Sequence, residues 1–225
     1  MSKRSHKSSA KQERIVHTPQ RSNGKLRVAA ILKAAQAVIA EKGYEAATMA
    51  EIAARSDTKI GSLYRFFPNK ESIADTIIAG ARENLDMLFR EFNKNVRTLP
   101  VRVLADDLLT LLFEPVFKRP ALMKLLDAGP DWAAKREEFR SAVLRHIAQT
   151  PMTYSPKLSK KGAADVALVI LLNIKAASTL QGFPPNALQE FRNMARLYIE
   201  NRLEPSPPSK RRIAVHSRAT STRGS

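Results

Sequence analysis

Residues 57–73 read DTKIGSLYRFFPNKESI, and the fold turns on how this stretch is punctuated. Pro68 biases Phe67 away from helical geometry, so a helix that starts after Ser56 and Asp57 ends near Phe66, barely two turns later. Asn69 offers a side-chain oxygen as the N-cap of a long helix to about Asn95, with Ile73, Ile77, Leu85, Leu88 and Phe92 roughly on one face. On the short helix, Ile60, Leu63 and Phe67 read as the inward side, and Lys59, Ser62, Tyr64 and Arg65 as the outward side. Gly61 permits close approach of the backbone, and Lys70 stands in the first turn of the long helix, where N–H groups and the dipole favour an anion. The expected use of such a surface is to lie against phosphates.

Working upstream, a helix from about Lys25 to Lys42 carries Ile31, Ala35, Val38 and Ile39 on one stripe, and Gly43 stands where a C-terminal cap belongs. Thr48-Met49-Ala50-Glu51 has the form of a capping box, which starts a second helix ending near Arg55. Three short helices followed by a long one, with a tight link between the second and third, is the layout of a helix-turn-helix unit on a larger helical body.

Downstream the pattern stays helical. Pro100 opens a fifth helix that Leu104, Leu108, Leu111 and Leu112 carry to Phe117. Pro120 starts a short helix to Asp127, Gly129-Pro130 breaks the chain, and Trp132 to Gln149 forms another with Phe139, Val143 and Ile147 inward. The stretch TPMTYSPKLSKKG, residues 150–162, reads as a loop. Beyond it, Ala163 to Leu180 is apolar on nearly every side, and Ala187 to Leu203 repeats Leu188, Phe191, Ala195 and Tyr198 at helical spacing. A helix apolar all round must be covered all round, which these two achieve by packing on the same pair of a second copy, a two-fold four-helix contact. With β-branched alternation nearly absent, the chain is predicted to be all-α. Its expected organisation is a basic arm over 1–25, a helix-turn-helix domain over 26–72, a helical ligand-binding and dimerisation domain over 73–204, and a basic tail over 205–225.

The charge agrees with a polyanionic partner. The 225 residues carry a formal net charge of +17. Residues 1–25 hold seven Lys/Arg against Glu13, and residues 205–225 hold five with no acid, so the ends supply 11 of the 17 charges. Both ends are too poor in apolar residues to offset their ordering entropy and are expected to be disordered arms that assist by nonspecific phosphate attraction.

Other classes find little support. With no cysteine, neither disulfides nor thiolate metal sites exist, and of four histidines His6, His17 and His216 lie in the arms, leaving His146 in the body. No metal or cofactor is expected. The longest apolar run, Val166 to Leu172, is short of a membrane span, and a soluble cytoplasmic protein is expected. No nucleophile elbow, P-loop or zinc-protease motif occurs, and the carboxylate pairs Asp106-Asp107 and Glu137-Glu138 diverge by about 100° on their helices, so no enzyme is expected.

Ile31-Leu32, Ala34-Ala35, Gly43-Tyr44, Thr48, Ile52-Ala53, Gly61-Ser62-Leu63-Tyr64, Phe67 and Asn69-Lys70-Glu71 together resemble, in register and without a gap, the DNA-binding domain of the TetR family of transcriptional regulators (AcrR-like). The resemblance covers about residues 26–75. It implies that Thr48, Lys59, Ser62, Tyr64 and Lys70 hold the DNA backbone while Ile60, Gly61 and Arg65 lie nearest the bases. Arg65 is the candidate for direct readout, because a guanidinium bonds both acceptors of guanine; its alternative is a phosphate contact.

Where the family has Gly-Val-Ser in the turn, this chain has Asp57-Thr58-Lys59. Asp tolerates a left-handed backbone less well than Gly and Lys is no N-cap, so Asp57 or Thr58 is expected to cap the recognition helix. Ile60 stands where the family often has a polar base-reader, and packs inward or touches a thymine methyl.

The resemblance also implies a dimeric, ligand-responsive repressor on a palindromic operator, with a small apolar or amphipathic ligand in the body. Phe89, Leu112, Phe113, Phe117, Trp132 and Phe139, with His146 at their edge, are the candidate lining. The rival reading is a basic packaging or RNA-associated protein that binds without regard to sequence.

Overall fold

The computed structural model describes residues 22–129, 132–178 and 185–204. These form nine α-helices and one 3₁₀ turn (Val96–Thr98), with no strand among the described residues. The helices are α1 (Ser22–Lys42), α2 (Met49–Arg55), α3 (Ile60–Phe66), α4 (Lys70–Phe92), α5 (Val101–Lys118), α6 (Pro120–Leu126), α7 (Ala133–Tyr154), α8 (Lys160–Ser178) and α9 (Pro185–Leu203).

The chain stops and starts each of the first four helices with local chemistry. Gly43 takes φ 85° and closes α1 by donating to Ile39 O at 2.8 Å. A side chain at that φ is strained, which is why glycine stands there. Thr48 caps α2, its hydroxyl oxygen accepting the Glu51 N–H at 3.2 Å. Asn69 caps α4 by accepting the Ser72 N–H at 2.8 Å.

Two cores form, and α4 is the wall they share. The first gathers α1, α2, α3 and Ile73 to Ile78 of α4, and is closed by Ala121, Leu122 and Leu125 of α6 with Ala128 and Trp132. The second gathers Leu85 and Phe89 of α4, most of the buried face of α5, Ile147 of α7, and the inner stripes of α8 and α9. Each fully buried Leu, Ile or Phe contributes about 1.5–3 kcal/mol, so both cores resist separation. Sequence separation hid one fact: α6 and Trp132, some fifty residues downstream, finish the core of the helix-turn-helix.

Several expectations need correction. The first helix begins at Ser22, inside the expected arm; residues 1–21 and 205–225, with the remainder of both arms, lie outside the described residues. The loop expected over 150–162 is helical as far as Tyr154, with Pro151 inside α7. Proline forfeits one helical hydrogen bond, and tertiary bonds offset the loss. The buried Thr150 hydroxyl donates to Asn93 Oδ1 at 3.0 Å, and Arg97 Nε donates to Thr153 O at 2.9 Å. Likewise α8 starts at Lys160 and α9 at Pro185, earlier than the apolar pattern indicated, while Thr179 and Leu180 lie outside the described residues.

Candidate nucleic-acid interface

The turn between α2 and α3 is a Schellman motif. Asp57 N–H donates to Ala54 O at 3.2 Å and Thr58 N–H donates to Ala53 O at 2.9 Å, the paired bonds that close a helix through a left-handed residue. Asp57 is that residue, with φ 48°. Thr58 follows at the position that normally makes an apolar contact, and it is buried, its hydroxyl donating to Ser56 O at 3.2 Å. Neither residue caps α3, contrary to expectation. The N-cap position is Lys59, which has no side-chain cap bond, because Asp57 and Thr58 are both consumed in ending α2.

The register of α3 follows from that turn. Leu63, Phe66 and Phe67 are buried, while Lys59, Ile60, Gly61, Tyr64 and Arg65 are exposed and Ser62 is half-buried. At about 100° per residue, the exposed positions Ile60, Tyr64, Gly61 and Arg65 sweep one continuous arc of about 140°. Ile60 therefore belongs to the outward face, at 45% exposure, and not beside Leu63 and Phe67 as the apolar pattern suggested. Tyr64, half exposed, stands inside the arc about 40° from Ile60, and the Arg65 guanidinium lies over the Phe66 ring at 5.4 Å.

Charge is distributed unevenly over this head. Lys42 is paired with Glu51, and Arg55 with Glu41 at 2.6 Å. The Lys42 ammonium holds the Glu51 carboxyl below its usual range, and the Arg55 guanidinium does the same to Glu41. Lys59 at the N-cap of α3 and Arg65 on its outward arc have no ion-pair partner among the described residues, so their charge is left uncompensated.

Two expected backbone contacts are occupied within the chain. Lys70 Nζ donates to Tyr44 O at 2.7 Å and to Glu45 O at 3.0 Å, and lies over the Tyr44 ring at 4.4 Å. The carbonyls of the tight turn after Gly43 draw the ammonium inward, leaving one of its three N–H donors for a phosphate. Thr48 is exposed, but its hydroxyl already accepts from Glu51 N–H and donates to Glu51 Oε2 at 3.2 Å.

Sequence reasoning missed the residues that fix the head to the body. Tyr44 meets Trp132 edge to face with centroids 4.7 Å apart, and burial pushes its hydroxyl up to about 12. Lys135 donates to Glu71 at 2.9 Å, pairs with Asp75 at 2.6 Å, and lies over Trp132. Partial burial pulls its ammonium down, but the two carboxylates outweigh that and leave it raised. From α6, Lys124 donates to Ala40 O at 2.6 Å at the end of α1. The Gly43-Tyr44 pair and the lone Trp132 were visible in the sequence; their meeting across nearly ninety residues was not.

The six candidate ligand residues whose side chains are described do not line one cavity. Phe89, Leu112 and Phe113 are buried in the second core, whereas Trp132 belongs to the first and Phe139 packs against it. His146 is stacked on Phe89 at 5.1 Å and bonded to Asp86 Oδ1 at 2.6 Å. The Phe117 side chain lies outside the described ones. Aromatic side chains on converging helices filled two cores here. Among the described residues, no group of three or more His, Asp or Glu is placed to hold a metal ion, and no helix is long and apolar enough to cross a membrane.

Residues 31–77 match the family model of the bacterial regulatory proteins of the tetR family. The match runs from Ile31, the first core residue of α1, to Ile77, the far side of the same core on α4. The N-terminal domain belongs to the tetR family. A curated relative, the HTH-type transcriptional repressor KstR of Rhodococcus jostii, is 39% identical over 56 residues, 25% of this chain and 26% of the repressor, so the match spans about a quarter of that relative's length.

The tetR-type fold extends further than the sequence match. FadR of Bacillus subtilis, solved with stearoyl-CoA, superposes with a TM-score of 0.57 at 16% identity over 78% of this chain and 97% of FadR. AibR, solved with isovaleryl coenzyme A and operator DNA, gives 0.53 at 17% identity over 76% of this chain and 96% of AibR. At such identities the likeness is one of fold.

Proposed function

We propose that this chain is a sequence-specific DNA-binding transcriptional regulator, a ligand-responsive repressor that grips an inverted-repeat operator as a homodimer. The observation that carries the reading is the continuous exposed arc of α3, cationic at Arg65 and with Lys59 exposed at the N-cap beside it, on a head whose Lys42 and Arg55 are neutralised. An arc of about 140° on a two-turn helix fits the major groove, which admits one α-helix. In this reading Lys59, Ser62 and Tyr64 bond phosphates, with Thr48 and the remaining donor of Lys70 beside them. Ile60, Gly61 and Arg65 lie at the base edges, Ile60 against a thymine methyl and Arg65 on a guanine. The head is residues 26–72 and the body 73–204. The basic arms add nonspecific, salt-sensitive attraction.

The dimer is supported by two adjacent apolar stripes. Leu168, Val169 and Leu172 on α8, and Met194 and Leu197 on α9, are all more than a third exposed. Each set recurs at helical spacing, so each helix presents one uncovered stripe, and a second copy related by a two-fold axis covers both. The comparisons support the regulatory role by analogy: KstR is a repressor, and AibR was captured with both an acyl-CoA and operator DNA. A footprint on genomic fragments tests the proposal. Protection of a short inverted repeat is the expected result, and uniform coating would replace the regulator by a packaging protein.

A further inference from the structure

A cleft of about 580 Å³ opens between α1, α4 and α6, where head and body meet. We propose that it binds a small amphipathic anion, a carboxylate or phosphate on an apolar body, and that the occupant bridges head and body. Its volume lies within the roughly 300–1,000 Å³ of small-molecule sites. The wall is divided: Leu32, Ile77 and Leu122 supply apolar surface, while Gln36, Asn84 and Arg119 supply polar groups, and no carboxylate lines it.

Arg119 fixes the sign of the ligand. Its guanidinium is bonded to a neutral group, the Asn84 amide oxygen, at 2.9 and 3.2 Å once that amide is oriented to accept. No carboxylate pairs with it among the described residues. An arginine facing a cleft without a counter-charge offers its remaining N–H donors to a planar anion, the geometry a guanidinium matches best.

Gly80 supplies an independent indication. It sits mid-way along the 23-residue α4, where glycine costs roughly 1 kcal/mol relative to alanine. A β-carbon there would meet nothing within 4 Å, so no packing constraint accounts for its presence. Gly80 lines the α4 wall of the cleft, so a large side chain at this position would project into the open space. The site also differs from the expected ligand residues of the second core, none of which lines it.

A guest held by Arg119, at the N-cap position of α6, presses on Ala37 and Ala40 of α1, and Ala40 O is the carbonyl that Lys124 grips. Occupancy therefore alters how α1 seats on α6. That regulatory consequence rests on the proposed function; the binding itself does not.

The test is calorimetric titration of the purified full-length chain with decanoate, decyl phosphate and decyltrimethylammonium, each below its micelle concentration. The two anions separate a carboxylate from a phosphate ligand, and the cation controls for grease alone. The expected result is saturable binding of at least one anion, one per chain, with none for the cation. Arg119→Gln weakens it about tenfold or more, and Gly80→Leu, which fills the cleft, abolishes it. Leucine raises helix propensity at that position, so the variant should melt no lower than wild type; if it does not fold, the exposed Arg119→Gln decides.

Absence of binding by both anions overturns the proposal. So does binding that both substitutions leave unchanged, and anion affinity indifferent to Arg119→Gln removes the charge assignment. Failure of the regulator reading looks different: no inverted repeat is protected, whatever the anions do.

Discussion

Replacing Arg65 by alanine separates folding from recognition. The side chain is exposed, has no ion-pair partner among the described residues, and touches its own helix through the Phe66 ring at 5.4 Å. Its contribution to the fold is therefore bounded by an exposed cation–π contact, about 0.5–1 kcal/mol. A bidentate guanine contact contributes about 1–3 kcal/mol of discrimination, or about 5- to 150-fold at each half-site. A dimer loses this twice, so affinity for a two-fold operator falls by up to the square of that factor. Nonspecific DNA, which offers no guanine in register, changes little.

Gel-shift titration against the operator and against variants of each guanine measures both quantities, with a thermal melt as the folding control. Arg65→Ala is expected to melt within a few degrees of wild type and to become indifferent to one base position per half-site. Undiminished sequence preference would refute the assignment. A uniform loss, with the salt slope reduced by about 1, would place Arg65 on a phosphate instead.

Further outcomes follow from the turn, the ion pairs and the apolar stripes. Asp57→Gly should raise the melting temperature, since a left-handed non-glycine residue costs about 1–2 kcal/mol and the position lies outside the exposed arc of α3. Glu41 and Glu51 both titrate below the ordinary value of 4.5, so the stability they lend is complete above that value and lost as pH falls through their lowered midpoints. A melt series from pH 6 to pH 3, with Glu51→Gln as control, should show a flatter acid limb in the variant. Leu172→Glu with Leu197→Glu should give a monomer by sedimentation, with operator binding reduced and the melting of the head core preserved; a dimer that persists would move the interface elsewhere.

Much of the head was legible because its signals are local. Gly43, the Thr48-to-Glu51 box, Pro68 and Asn69 each act within four residues, and each ends or starts a helix where its chemistry requires. Of the two readings open for Ile60, the inward one failed for an equally local reason. An apolar residue three before Leu63 reads as inward, but the Schellman bonds of Asp57 and Thr58 set where α3 starts and rotate Ile60 into solvent.

What is carried by long-range contacts was not legible. Nothing near Lys70 announces the carbonyls of Tyr44 and Glu45, and nothing near Trp132 announces Tyr44. Pro151 reads as a breaker because the bonds from Thr150 to Asn93 and from Arg97 to Thr153 lie more than fifty residues apart in sequence. The aromatic residues of the body reported apolar volume correctly, but composition does not say which of two cores each one fills.

The central claim is that the outward arc of α3 enters the major groove, once from each copy. Placing a photocrosslinking phenylalanine analogue at position 64, inside the arc, and separately at position 172, on the uncovered stripe of α8, tests it in the full chain. The account predicts that the first joins DNA at two symmetric points about 34 Å apart on one face of the operator, and that the second joins the partner copy. Crosslinks from position 172 to DNA, or none from position 64, would contradict it.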